Sequence, residues 1–586
     1  MAQEHYSLER ALSRWVADFF FEGRLPPVVA GVIERLIEAM NNGDVCLGLT
    51  EEDAQAKIEL IEHGACASVN SEESRAVDTP FVLDASNRLY LNRFYDYEVK
   101  IAKTVCEMTN TFPEIEAEPL KKALSAVSLA FEEDGVINEQ AVAVATALMR
   151  PVSVISGGPG TGKTYTIAQT VKGLLALDPK TRIALAAPTG KAASRLTAGL
   201  LQLFQNSPEA SDFPLQATTI HTLLHKLKNE HVDTIIIDEA GMVSLELMGR
   251  LFLAAKGVTR FVLVGDKDQL ASVDEGAVFA QLSSDCAFSA KRKAKFLSLD
   301  FPKNAVENLP EIENHAPLAE MTTWITKARR FRADSGIARL AKATLSGDSS
   351  KVLDILKEGA EDVTLCAFDS ERSLHDALFA EVLRRFAPYR DAVMKMLATR
   401  HPNDSDLDLL FSLVAQVGVL AAINGGPSGV DAINDFLTQK LFPRSTAQGQ
   451  FFAGQILMVR ENDYDNELFN GDIGIVLPEE NRLFAYFPAT KSGASRYRQI
   501  SLLKLPHVAT AFAMTVHKSQ GSEFTDVIVT LPRESPILTR EFFYTAITRA
   551  KKTLSVYAFD SAIEAAVQTR QERNGGLADR LKEVFS

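Results

Sequence analysis

Short apolar runs separated by polar, glycine-punctuated stretches organise the chain from about residue 134 onward. VSVI (152–155), RIALAA (182–187), TIII (234–237) and FVLV (261–264) are rich in apolar and β-branched residues, and each ends in Gly, Pro or Asp. The alternation of such runs with helical periodicity predicts a parallel α/β sheet. In such sheets ligands bind at the carboxyl edge, where these strands place their polar residues. A charged segment over 285–410 predicts helices, after which strands return at QILMV (455–459), IGIV (473–476), DVIVTL (526–531) and LSVYAF (554–559). Before 134 the pattern is mixed, with RLYL (88–91) reading as a strand that leads into a helix. An acidic stretch with Pro113 and Pro119 predicts a linker with some helix, and QNSPEASDFP (205–214) a surface loop. The expected organisation is an N-terminal domain (1–115), a linker (116–133), a first α/β lobe (134–345) and a second (346–586), with a small β insertion near 478–505.

Composition narrows the choices. With 586 residues the chain is too long for one core. Its net charge of −14 lacks the bulk basic footprint of a histone-like binder, so nucleic-acid contacts must rest on local clusters. Five cysteines without CxxC spacing suggest neither a zinc site nor a disulfide framework, and fit a reducing compartment. The first residues lack the apolar core of a signal peptide, and LLFSLVAQVGVLAAI (409–423) is too short and interrupted to span a bilayer. The expectation is a cytoplasmic chain with no membrane partner.

The chemistry concentrates at strand ends. ISGGPGTGKT (155–164) places Gly157, Gly158, Pro159, Gly160, Thr161, Gly162, Lys163, Thr164 and Tyr165 between a strand and a helix. Glycines let backbone N–H groups curl around phosphates, Lys163 neutralises β/γ oxygens, and the Thr164 hydroxyl can reach Mg²⁺. TIIIDEA (234–240) ends a strand in Asp238, suited to hold Mg²⁺ through water, and Glu239, suited to polarise the attacking water. In LVGDKDQLASV (263–273), Gln269 is placed to sense a γ-phosphate, with Asp266 and Asp268 as its orienters. Phosphoryl transfer needs more positive charge than one lysine supplies. Arg330 in KARRFRADSGI and Arg549 in FFYTAITRAKK are the candidates, each reaching in from the far side of a cleft. AMTVHKSQGSEF (513–524) is dense in side-chain donors and reads as an anion-holding loop.

The ordered series GGPGTGKT, AAPTGKAASRL, TIHTLL, IIIDEAGM, VGDKDQLASV, ARRFRADSGI, AMTVHKSQGSEF and YTAITRAKK resembles superfamily one helicases. Within them it is similar to the RecD family, the α subunits of RecBCD (exodeoxyribonuclease V), over roughly 134–350 and 415–570. The resemblance implies two RecA-like lobes with ATP between them, single-stranded DNA across their top, an SH3-like insertion and 5′→3′ travel. It implies that Gln140 reads adenine, that Glu523 touches ribose, and that Arg330 and Arg549 are arginine fingers. Pro188, Thr189, Lys191, Thr219 and His221 in the first lobe, with Thr515, His517 and Lys518 in the second, match its DNA-contacting motifs. Hydroxyls, lysines and histidines of this kind suit backbone gripping without base readout. The setting implied is a heterotrimer with RecB-like and RecC-like chains in double-strand break repair and recombination, any nuclease residing in a partner. The alternatives are a standalone RecD-like helicase, or a regulatory subunit whose nuclease activity resides in a partner chain. The departures from the family pattern are Arg329 for an aromatic, Gly241 for Ser and Tyr165 for Thr.

Overall fold

A computed structural model describes residues 8–69, 79–205, 215–272, 274–312, 318–329, 334–366, 368, 370–398, 401–443, 451–463, 465–480, 482–489, 496–505 and 507–585. The central feature is a six-stranded parallel sheet. Its strand order is Thr322–Ile325, Val152–Gly157, Arg260–Gly265, Thr234–Ile237, Ile183–Ala187, Thr218–Thr219. Strand side chains alternate between faces, and both faces here are apolar, as a sheet covered on both sides requires. Ile235, Ile237, Phe261 and Leu263 face one core; Ile236, Val262 and Val264 face the other.

The first of these cores is shared. The N-terminal domain sets helices Leu8–Phe20, Pro27–Asn41, Ala54–Glu62 and Asn92–Thr111 about a sheet ordered Cys46–Gly48, Arg88–Leu91, Phe81–Leu83, Cys66–Ser68. Its Ile33, Leu36, Phe81 and Ile101 join the same apolar cluster as Val152 and Ile235 of the first lobe. The domain is thus fused to the first lobe's sheet through one continuous core. The segment expected as a linker is also packed: helix Ala117–Ser125 buries Leu120, Ala123 and Leu124 in the first lobe's other core.

The second lobe carries a five-stranded parallel sheet, ordered Val363–Cys366, Ala550–Tyr557, Phe524–Thr530, Val417–Ala421, Ala513–Thr515. Helix Gly336–Ser346 buries Ile337, Leu340 and Ala343 in this lobe's core, so that core begins earlier in the chain than residue 346. Strands Thr322–Ile325 and Val363–Cys366 lie inside the stretch expected to be helical. Each is four residues at a sheet edge, too short to interrupt the charged helical pattern around it. The apolar run 409–423 divides between helix Asp404–Gln416 and the interior strand Val417–Ala421. Among the described residues no helix is long and apolar enough to cross a membrane.

The β insertion is wider than 478–505. An antiparallel sheet ordered Tyr497–Ser501, Arg482–Pro488, Ile473–Glu479, Ile456–Val459, Val508–Thr510 encloses its own small core of Leu457, Val476, Ala485 and Phe487. QILMV and IGIV belong to this module, because a short apolar strand reads alike in either kind of sheet.

Candidate active site

The phosphate loop leaves the strand Val152–Gly157 and enters helix Lys163–Leu177. Gly160 and Gly162 have φ of 78° and 88°, left-handed values that favour glycine and turn the backbone N–H groups inward. The Lys163 ammonium donates to the Gly157 carbonyl at 2.7 Å. Buried Gln140 donates from Nε2 to the Thr161 carbonyl at 3.0 Å and the Gly162 carbonyl at 3.3 Å. Its amide therefore holds the loop's shape. Arg329 holds it from outside through its backbone N–H, which donates to the Gly160 carbonyl at 2.8 Å, while its guanidinium donates to Glu133 at 2.7 Å. The Tyr165 hydroxyl donates to the Ser128 carbonyl at 2.7 Å. The side chains at these two departures from the family pattern thus bond to Glu133 and Ser128, outside the loop.

Across the cavity, Asp238 and Glu239 end the strand Thr234–Ile237. Glu239 adopts φ 52°, a conformation seldom seen outside glycine, which kinks the chain so that both carboxylates face the loop. Burial and the adjoining Glu239 carboxylate push Asp238 up to about 6, while Lys163 opposes the shift. Asp266 accepts from Gln269 Nε2 at 2.7 Å and so orients that amide, whereas Asp268 pairs with Lys267 at 2.8 Å. Thr164 and Asp238 line the same cavity of about 390 Å³ as the phosphate loop. Two hard oxygen donors beside phosphate-binding amides fit a magnesium–nucleotide, which takes few protein ligands.

The opposite wall comes from the second lobe. Arg549 is 2% exposed, and its Nη2 donates to Gln269 Oε1 at 3.0 Å. Its other nitrogens donate to the Thr545 and Ser522 carbonyls, which fixes the guanidinium from behind. Leu270, next to Gln269, donates its N–H to Thr545 Oγ1 at 3.0 Å and accepts from Gln520 Nε2 at 2.8 Å. The donor-rich stretch 513–524 thus closes on the glutamine loop of the first lobe. Arg330 lies outside the described residues.

Two groups here escaped sequence reasoning. Arg195, inside AAPTGKAASRL, donates to the Gly521 carbonyl at 2.6 Å and pairs with Glu523 at 2.8 Å. Lys551 approaches the other Glu523 oxygen at 3.6 Å. The second is Tyr544, whose hydroxyl lies where a side chain on Gly158 would stand and reaches the Asp266 carboxylate. The only signal for either was position within a stretch already singled out.

The residues expected to hold DNA line up at the carboxyl ends of neighbouring strands. Thr189 and Thr219 follow the paired strand ends Ala186–Ala187 and Thr218–Thr219. Both hydroxyls cap helices, accepting from Ala192 N at 3.2 Å and Thr222 N at 3.2 Å. Pro188 is half-buried and His221 exposed beside them. Thr515, His517 and Lys518 form the strand end and turn in the second lobe, where Thr515 accepts from Lys518 N. Burial and the Arg573 charge hold the His517 imidazole below its ordinary value. Lys518 is exposed; burial of its stem and nearby Arg460 lower its amine. Lys191 lies deeper, beside Asp472, with Phe469 of the β insertion packed on the neighbouring Gly190.

Comparison with known proteins agrees with this geometry. An AAA domain model matches residues 136–291, and a UvrD-like helicase C-terminal domain model matches 510–557. The ATP-dependent RecD2 DNA helicase of Deinococcus radiodurans is 27% identical over 464 residues, covering 76% of this chain and 53% of that one. The RecBCD enzyme subunit RecD of Haemophilus influenzae is 32% identical over 480 residues, covering 76% of this chain and 72% of its own. The RecBCD enzyme subunit RecD of Mycolicibacterium smegmatis is 31% identical over 577 residues, 93% of this chain and 92% of the relative. With that match running almost end to end in both proteins, the chain belongs to the RecD family.

Proposed function

We propose that this chain is the ATP-driven 5′→3′ DNA helicase subunit of a RecBCD-type complex, with RecB-like and RecC-like partners, acting in the cytoplasm on double-strand breaks. The observation that carries the motor reading is the Arg549–Gln269 hydrogen bond, 3.0 Å long, which joins the two lobes at the rim of the phosphate-loop cavity.

Each residue then has a task. The loop amides and Lys163 bind the β- and γ-phosphates, and Gln140 and Arg329 hold that loop in register. Thr164 and Asp238 would hold Mg²⁺, which supplies charge neutralisation on the phosphates when bound. Glu239 takes a proton from the attacking water. Gln269, aimed by Asp266, contacts the γ-phosphate together with Arg549, and Arg330 adds a second cation. Because Arg549 and Gln269 sit on different lobes, cleavage of the γ-phosphate changes the attraction between those lobes. Thr189, Thr219 and His221 on one lobe and Thr515, His517 and Lys518 on the other alternate their grip on the strand.

The match to the two RecD subunits over most of their length, against about half of the RecD2 helicase, favours the complex over a standalone enzyme. The test is Lys163→Gln in the full chain. ATP hydrolysis is expected to fall on the order of 10²-fold or more with the thermal melt unchanged, as removal of a group serving transition-state charge does. Wild-type turnover would refute the assignment.

A further inference from the structure

The chain after the last motor strand does more than end the second lobe. Gln571 donates its N–H to Glu541 Oε2 at 2.9 Å, and the Thr569 carbonyl accepts from Arg540 N at 2.8 Å. Both partners begin helix Arg540–Ile547, the helix that presents Tyr544 and Thr545 and leads directly to Arg549. Two residues later the chain is on the first lobe. Arg573 donates from Nη2 to the Ser272 carbonyl at 2.6 Å, and from Nη1 to the Asp274 and Gly276 carbonyls at 2.9 and 3.0 Å. Ser272 follows Gln269 and Leu270 in one loop, so this guanidinium clamps the loop that carries the γ-phosphate glutamine. It is seated against Gly43 of the N-terminal domain, where any side chain would collide with it, and Gly276 N donates to the Gly43 carbonyl at 2.8 Å.

The chain then continues into the N-terminal domain. Asn574 N–H donates to Asp44 at 2.6 Å, and Gly576 N–H to the buried Glu98 at 2.8 Å. Arg580 pairs with Asp84 at 2.7 Å. Two consecutive residues span at most about 7 Å. The helix that leads to Arg549 and the glutamine loop are therefore joined, at this edge, by a two-residue stretch of chain and the Arg573 side chain.

We propose that Arg573 is a positioning residue of the ATPase: it holds the Gln269 loop in register with Arg549 through the short link to helix Arg540–Ile547. The proposal rests on the nucleotide-site reading above. A loop held by three main-chain carbonyls on one fork depends on guanidinium geometry, which lysine cannot reproduce.

The test is steady-state ATP hydrolysis by the full-length chain with single-stranded DNA, comparing wild type, Arg573→Ala, Arg573→Lys and Lys163→Gln. Arg573→Ala is expected to lower kcat about tenfold or more, as a displacement of roughly 1 Å in a reacting constellation does, with KM for ATP within about twofold. Arg573→Lys is expected to fall between the two, since it keeps the charge and loses the fork. Should Arg573→Ala fail to fold, Arg573→Lys carries the test by itself. Wild-type kcat in a folded Arg573 variant, or an effect confined to KM, overturns the proposal. Loss of activity in Lys163→Gln alongside normal Arg573 variants leaves the nucleotide site standing and removes only the positioning role; an active Lys163→Gln removes the site itself.

Discussion

The Lys191 amine lies beside Asp472, at the seam where Phe469 of the β insertion packs onto Gly190. Burial pushes it down to about 8, with the Asp472 carboxylate opposing the shift and the Arg195 charge adding to it. The folded chain then binds fewer protons than the unfolded chain between about pH 8 and the ordinary lysine range, so this residue's contribution to stability improves as pH rises through that window. Below it, the charged amine destabilises the fold. Lys191→Met is therefore expected to raise Tm by about 2–4 °C near neutral pH, with the gain fading towards about pH 10. Scanning calorimetry at the two pH values measures it, and equal shifts at both would show that the amine is not the cause. The sequence motif predicted a lysine at this place and a phosphate as its partner. It could not show that a residue far along the chain covers it.

Among the elements, the helices that begin at the strand ends proposed to meet DNA are capped by the hydroxyls expected to touch it. Thr219 caps Ile220–Lys226, a helix of only seven residues. Thr219→Ala is expected to cost about 1 kcal/mol in urea unfolding, and Thr219→Ser to cost much less. If both variants unfold alike, the capping role is wrong. This level was also where the sequence was most and least legible. The strands flanking the phosphate loop and ending in Asp238 declared themselves through apolar runs closed by Gly, Pro or Asp, because a buried parallel strand has no polar face to disguise it. Thr322–Ile325 and Val363–Cys366 did not, since four-residue edge strands leave no periodic signature. Arg573 was equally silent: its partners Ser272 and Gly276 stand about three hundred positions away, and no local pattern encodes a contact of that range.

For the whole molecule, a net charge of −14 means that the proposed DNA path has to rely on a few local cations. Lys518 is exposed and close to Arg460, so the pair forms one such point. Lys518→Ala is expected to weaken single-strand binding similarly for all base compositions and to reduce the slope of log affinity against log salt by about 0.7, the release of one counterion. Fluorescence anisotropy across a salt series measures both, and a defect confined to one base would contradict a backbone grip. The same scale explains how the two motor lobes could be recognised from separated motifs while their attachment to the N-terminal domain could not. Nucleotide chemistry demands particular residues, whereas a shared apolar core accepts many.

The helix Leu577–Phe585, packed against Asn92–Thr111, gives the molecule an unusual order of completion. Glu98 emerges early from the ribosome, yet its partner Gly576 is translated 478 residues later. This domain is completed by a segment that follows both lobes in the chain, so an acidic side chain and its surrounding pocket await closure while the lobes are synthesised. Closure of the pocket around Glu98 therefore has to wait for the segment that supplies Gly576, whichever lobe folds before it.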